Sequence, residues 1–441
     1  MDFLLLNCLL CLIFAIIAFL LFLQQARGTS PPNLPPGPAR IPIIGNLHSL
    51  GRNPHKSLAD LAKIHGPLMS LKLGQVTLIV ASSPAAAKEI LQKHDKVLSD
   101  RHVSLAGKAH NISGKAHNLN DFSLTALPVD SKWRNLRKVC NSYSLTTQKM
   151  DANQELRNDK VVELVEGVRR NAYEKAVVDV GRAAFNATLN SLSASIFSLN
   201  LADEERSETA REFKELARGI IEEGVKPNLG DYFPVLAKSD LQGIQRRMKV
   251  YLGKVLNLFG WIIDERLRKL KSENYASTND MLDTLLAIGD EDHNRETTMD
   301  SNCIKYLFLD LFVAGTDTTS STIEWAMTEL LHNSDKLAKV KEELNQTIGN
   351  GIHLQESGVP RLPYLQAVVK ETFRLHPAVP LLLPRKAGVD VEICGFTVPK
   401  GAKILVNVWA IGRDPMTWEN PNSYMPERFL GSKVDAKGEQ F

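Results

Sequence analysis

The heptapeptide AGTDTTS, residues 314–320, lies inside an apolar periodic run and breaks its helical propensities. Gly costs about 1 kcal/mol in a helix interior and each β-branched Thr about half as much. A bland reading fills a kink with hydroxyls bonded back to the preceding turn. A chemical reading makes the stretch an opening: Gly315 admits a group to the backbone, and Thr318, on the inward face beside Asp317, delivers protons. Such local rule-breaking is expected at working sites. Around it Ile304, Leu307, Phe308, Leu311, Gly315, Thr318 and Thr322 recur at helical spacing. That spacing predicts one buried face of a helix over 301–332, about 45 Å long.

Glu371 and Arg374 in ETFRLHP form an i,i+3 pair, worth only ~0.2–0.5 kcal/mol when exposed. Leu365, Val368, Thr372 and Leu375 mark the apolar side of that segment, so spacing alone places Arg374 on the polar side. In WRNLRK, Trp133 and Arg137 stand one turn apart. An indole N–H and a guanidinium together suit a carboxylate or phosphate, although a surface helix with a half-buried Trp has the same spacing. PERF, residues 426–429, contains Arg428 and carries no weight alone.

The elements that must position these residues are mostly helices. LMSLKLGQVTLIVAS reads as a hairpin around a Gly turn, and VEICGFTVP and AKILVNVWA read as strands separated by Lys400-Gly401. Between residues 153 and 347 amphipathic helices follow one another through VVELVEGVRR, FKELARGIIEEG and VYLGKVLNLFGWIIDERLRKL. The near-copies GKAHNIS and GKAHNLN, from Gly107 to Asn120, read as a polar loop rather than a metal site, because no third ligand is nearby. The fold class expected is mainly α with small β-sheets.

At 441 residues, 44% apolar and 23% charged, the chain has an ordinary globular composition. A net charge of +3, with no basic run interleaved with aromatics, excludes nucleic acid as a partner. RLRKLK reads as the solvated, dipole-matched end of a helix. Residues 3–23 are uncharged and almost wholly apolar, long enough for the ~30 Å hydrocarbon layer. The basic start and small-residue cut of a signal peptide are missing. The expected division is a membrane anchor over 1–24, a stiff Pro-rich hinge over 25–46 and one domain over 47–441. Asp2 before the span and Arg27, Arg40 and Lys56 after it orient the body toward the cytosol. Five cysteines, two of them (Cys8 and Cys11) inside the span, give no disulfide framework.

Taken in order, Trp-x-x-x-Arg, Ala-Gly-x-Asp-Thr-Thr, Glu-x-x-Arg and Pro-Glu-Arg-Phe, behind an anchor and a PPGP hinge, resemble a plant microsomal cytochrome P-450, a haem-thiolate monooxygenase. MDANQELR, VDVGRAAFNATLN and LVNVWAIGRDP resemble its geraniol 8-hydroxylase-like subgroup. The resemblance implies that Trp133 and Arg137 hold one haem propionate and Arg385 the other. It implies that Ala314, Gly315 and their neighbours cross the distal haem face, with Asp317 and Thr318 catalytic in proton delivery. It also implies a buried charge network of Glu371, Arg374 and Arg428, against the surface reading of Arg374. The implied partners are an NADPH-cytochrome reductase, membrane lipid and a small apolar, monoterpenoid-like substrate, at the endoplasmic reticulum membrane. The family's Phe-x-x-Gly-x-Arg-x-Cys-x-Gly loop does not follow PERF here, and Cys394 precedes PERF in a strand-turn context. The expectation is therefore a C-terminally incomplete, inactive copy with no metal ligand of its own. A non-catalytic membrane-anchored binding protein is the alternative.

Overall fold

The structure, a computed structural model, describes residues 7, 16, 33–108, 110–112, 115–117, 119–143, 146–202, 207–272, 277–278, 280–291, 299–348 and 355–431. The expected anchor lies outside the described residues apart from Asn7 and Ile16. Among the described residues no helix is long and apolar enough to cross a membrane.

Ten helices organise the described chain: α1 Pro54–His65, α2 Ser131–Tyr143, α3 Gln154–Tyr173, α4 Val180–Phe197, α5 Ser207–Val225, α6 Ile244–Leu270, α7 Met281–Glu291, α8 Ser301–His332, α9 Ser334–Ile348 and α10 Pro363–Leu375. Shorter helical turns are named below by residue. Central α8 begins where the Asp300 side chain accepts the Cys303 amide, satisfying one of the orphan donors of its first turn. It packs most extensively on α4, and the two share an aromatic core with α5 and α6. Phe197 stacks on Phe312 at 5.2 Å and meets Phe308 edge-on at 4.8 Å, both favourable ring geometries.

The sheets are small. β1 Leu68–Leu73 and β2 Val76–Ala81 form the expected hairpin, turned by Gly74 at a φ of 54° that favours glycine. With β3 Asp100–Arg101, β6 Arg385–Lys386 and β9 Lys403–Val406 they make a five-stranded sheet of order β1-β2-β9-β6-β3. β9 runs parallel to β2, and the other pairs in this sheet are antiparallel. β7 Val391–Ile393 and β8 Phe396–Val398 form a separate hairpin.

Several expectations need correction. The GKAHN near-copies contain a two-stranded ladder rather than a loop: β4 His110–Ile112 pairs with β5 Lys115–His117 and sets His110 opposite His117. The second half of the Pro-rich hinge is docked on the sheet. Pro36 O accepts the Ser70 amide at 2.8 Å, Pro35 O accepts the Ser70 hydroxyl at 2.6 Å, and fully buried Asn46 bridges Ala39 O and the Lys72 amide. RLRKLK is solvated only in part. Arg266 is buried, donating to Asp280 at 2.8 Å, to Asp283 and to Phe197 O. A charge so placed is tolerated because each of its partners is hydrogen-bonded to it.

Candidate functional site

Helix α8 runs unbroken through the AGTDTTS stretch. Its hydroxyls bond back one turn: Thr316 to Phe312 O at 2.7 Å, Thr318 to Ala314 O at 2.6 Å and Thr322 to Thr318 O at 2.8 Å. The buried side follows the predicted spacing at Ile304, Leu307 and Phe308 and departs from it only in the second half of the helix. Phe312, Thr316 and Ser320 are buried, while Thr318 is half-buried and Ala314 and Thr319 are exposed. The reason is α4, which covers the helix from the Thr316 side. The expected opening at Gly315 is taken by the same neighbour: a Cβ there would stand 3.0 Å from Leu192 Cδ1. Gly315 thus serves close helix packing, and the uncovered surface belongs to Ala314 and Thr318. Half-buried Asp317 lies within electrostatic reach of Arg218 on α5.

Trp133 and Arg137 fall on one face of α2, where Asp130 caps the helix by accepting the Trp133 amide at 2.9 Å. The Trp133 Nε1–H donates to Leu124 O at 3.1 Å, and the Arg137 guanidinium lies 5.4 Å from the Trp133 ring. Just before α2, the Val129 amide donates to Asp100 of β3 at 3.5 Å, joining the helix start to the sheet. There Arg101 of β3 stands directly opposite Arg385 of β6. Arg385 Nη1 holds Asp95 at 2.8 Å. Burial, and then Arg385, keep the Arg101 guanidinium below its usual pKa, and Asp95 offsets them only in part. Like charges directly opposite on a ladder are destabilising. A pair in which one carboxylate bridges Arg385 and only partly offsets Arg101 is therefore a ready anion site.

Two residues of this region escaped the sequence reading. Arg101 becomes visible only through the pairing of two-residue strands. Asp310 left a signal, as the lone acid in the apolar run LFLDLFVAG one turn before Ala314. It accepts Ser123 Oγ at 2.7 Å, the Leu124 amide at 2.6 Å and Thr125 Oγ1 at 3.0 Å. Burial pushes its carboxyl up to about 6. One hydrogen-bonded path thus runs from Asp310 on α8 through Leu124 to Trp133 on α2.

Glu371, Arg374 and Arg428 come together in the interior. Arg374 grips Glu371 with two bonds of 2.7 Å, and Arg428 Nε reaches the same carboxylate at 3.2 Å. Glu371 is fully buried and also accepts the Met425 amide at 2.7 Å. Arg374 donates further to Gly412 O, Pro421 O and Ser423 O, so every charge has partners.

A cytochrome P450 family model matches residues 35–441. The chain belongs to the cytochrome P450 family. It is 50% identical over 441 residues to geraniol 8-hydroxylase of Catharanthus roseus, covering all of this chain and 86% of that one. Identity to geraniol 8-hydroxylase of Swertia mussotii is 50% over 93% of this chain and 80% of that one. Drimenol monooxygenase of Persicaria hydropiper is 45% identical over 98% of this chain and 83% of its own length. By family this P450 is a monooxygenase using haem and reductase-supplied NADPH electrons. The Arg101–Arg385 pair fits the carboxylates of such a group. The described cysteines do not fit its thiolate bond, since burial pushes Cys140 up to about 11 and Cys303 up to about 12, and exposed Cys394 is also raised by burial.

Proposed function

We propose that this P450 hydroxylates a small apolar terpenoid alcohol of the geraniol class. The observation that carries the reading is the cross-strand Arg101–Arg385 pair, with Asp95 bridged to Arg385, beside the start of α2. Identity of 50% along the whole chain to geraniol 8-hydroxylase supports the substrate class. Haem, when bound, supplies the redox centre for oxygen chemistry, fed by NADPH through a reductase.

The protein's own residues hold, orient and move protons. Arg101 and Arg385 take carboxylates at one rim, joined by Arg137 of α2, which lies against the Trp133 ring while the indole N–H stays on Leu124 O. Ala314 leaves α8 bare for a flat group to approach. Thr318 releases its bond to Ala314 O by a single χ1 rotation and then presents its hydroxyl to substrate, while Asp317 beside it is the second proton-handling group. An apolar substrate is selected by shape, and one methylene is worth about 1–3 kcal/mol. In the same reading residues 1–24 anchor the protein in the endoplasmic reticulum membrane, with the body cytosolic and an NADPH-cytochrome reductase as partner.

Microsomes carrying the full-length gene product and a reductase provide the test. Geraniol is expected to be oxidised at least ~10-fold faster than drimenol, the discrimination that several methylenes allow. Preference for drimenol overturns the size assignment, and no NADPH-dependent oxygenation of either alcohol overturns the reading.

A further inference from the structure

An ionisable side chain amid apolar helix residues must satisfy its lone pairs or be expelled, and Asp310 satisfies them on one turn of neighbouring chain. Leu309 before it and Phe312 after it are buried in the main core. Its carboxylate collects Ser123 Oγ, the Leu124 amide and Thr125 Oγ1, all within 3.0 Å. Ser123 is fully buried, and its hydroxyl also contacts Thr125 Oγ1 at 2.8 Å. One residue earlier, Phe122 stacks on Tyr306 of α8 at 5.3 Å and 13°. The far side of the same turn faces α2, where Leu124 O accepts the Trp133 indole. Leu124 is therefore the pivot: its amide is tied to α8 and its carbonyl to α2.

We propose that Asp310 is a positioning residue, a latch that fixes the 123–125 turn on α8 and thereby sets the orientation of Trp133. The role given to Trp133 rests on the proposed function, but the latch does not. Asp310 lies one turn from Ala314, yet its carboxylate is engaged by the turn. It therefore acts through Trp133 rather than on substrate. A carboxylate suits the task because hydrogen bonds to an ionised acceptor are shorter and stronger than neutral ones.

Amide hydrogen exchange on the full chain tests the latch. In Asp310→Ala the Leu124 amide is expected to exchange at least ~10-fold faster, with amides of α6 unchanged, as loss of a charge-assisted bond requires. Asp310→Asn, which keeps one acceptor oxygen, is expected to fall between Ala and wild type. Unchanged Leu124 exchange in a folded Asp310→Ala protein overturns the proposal. Should that variant not fold, Ser123→Ala decides: faster exchange over residues 119–125 supports the latch, and wild-type exchange overturns it. Positioning has its own readout, the Trp133 fluorescence obtained as a difference against Trp133→Phe. It is expected to shift to the red in Asp310→Ala as Nε1 meets water, and an unmoved band overturns the link to Trp133. Hemin titration of the wild-type chain judges only the proposed function, so failure to bind hemin leaves the exchange result standing.

Discussion

Thr318 illustrates what one hydroxyl can be asked to do. Its proton is committed to Ala314 O at 2.6 Å, so it reaches substrate only after leaving a satisfactory bond. Thr318→Ala removes that option with little loss of packing at a half-buried position. Product formation is expected to fall by ~10²-fold, the usual worth of a positioned proton donor. Peroxide released per NADPH should rise, and unchanged coupling of NADPH to product would remove Thr318 from the proton path. Two other residues oppose each other across the acid range. Burial first, then Lys403, Lys386 and Lys108, lower His102 from 6.5 to about 4. Its unfolded form takes a proton more readily, so its contribution is intact above pH 6.5 and is lost as pH falls toward 4. Asp310 is raised from 3.8 to about 6, so the folded state holds that proton better and gains stability as pH falls through 6. Between pH 7 and 5 the first costs about 2 kcal/mol and the second returns about 1. In denaturant melts at both pH values, His102→Gln should therefore lose less stability on acidification than wild type, and Asp310→Asn more. Parallel pH dependence in all three proteins would show that neither group is perturbed as described.

At the scale of elements, α8, the β1–β2 hairpin and the run of helices were legible because each carries its own period, caps or turn residues, whereas VEICGFTVP, expected as one strand, turns back on itself at Cys394-Gly395 to form β7 and β8. What a helix's far side meets was not. Periodicity put Arg374 on the polar side of α10, which is correct for the isolated helix. In the folded chain that side is roofed by carbonyls of residues 412–423 and by PERF, so a polar face became an interior one. Arg266 was misread for the same reason, its acidic partners lying on a segment beyond α6 and its carbonyl partner on α4. The buried face of α8 held at Ile304, Leu307 and Phe308 and was displaced only from residue 312 onward, because α4, and not hydrophobic count, decides which residues are covered there. The Arg374 site makes a strong prediction. Glu371 is the common partner of two guanidiniums and a backbone amide, and removing it strands both cations in low dielectric. Glu371→Ala is expected to cost 3–5 kcal/mol, on the order of what breaking a buried pair costs. Arg428→Ala, at the 3.2 Å edge of the network, should cost clearly less. Equal urea midpoints for these two variants would mean that the network is not centred on Glu371.

Over the whole molecule, the charge arrangement at the end of the main sheet sets stability against binding. Two-residue strands carry no sequence signal of their own, so the facing of Arg101 by Arg385 emerges only when β9 has brought β6 beside β3. Folding therefore completes a cation pair that it does not neutralise, a local strain of the kind found where a ligand supplies the missing partner. A group that binds only the folded chain raises its stability in proportion to RT ln(1 + [L]/Kd). Arg101→Gln separates the two effects, since it removes the like charge while leaving the 2.8 Å Arg385–Asp95 bridge in place. Without hemin the variant is expected to melt at or slightly above the wild-type temperature. With hemin added, wild type should gain more than the variant, which should bind hemin about 10-fold more weakly, as loss of one charge-assisted contact allows. Were Arg101→Gln instead less stable alone and equally stabilised by hemin, the arginine would be a structural cation, and the anion site would have to lie elsewhere on the sheet.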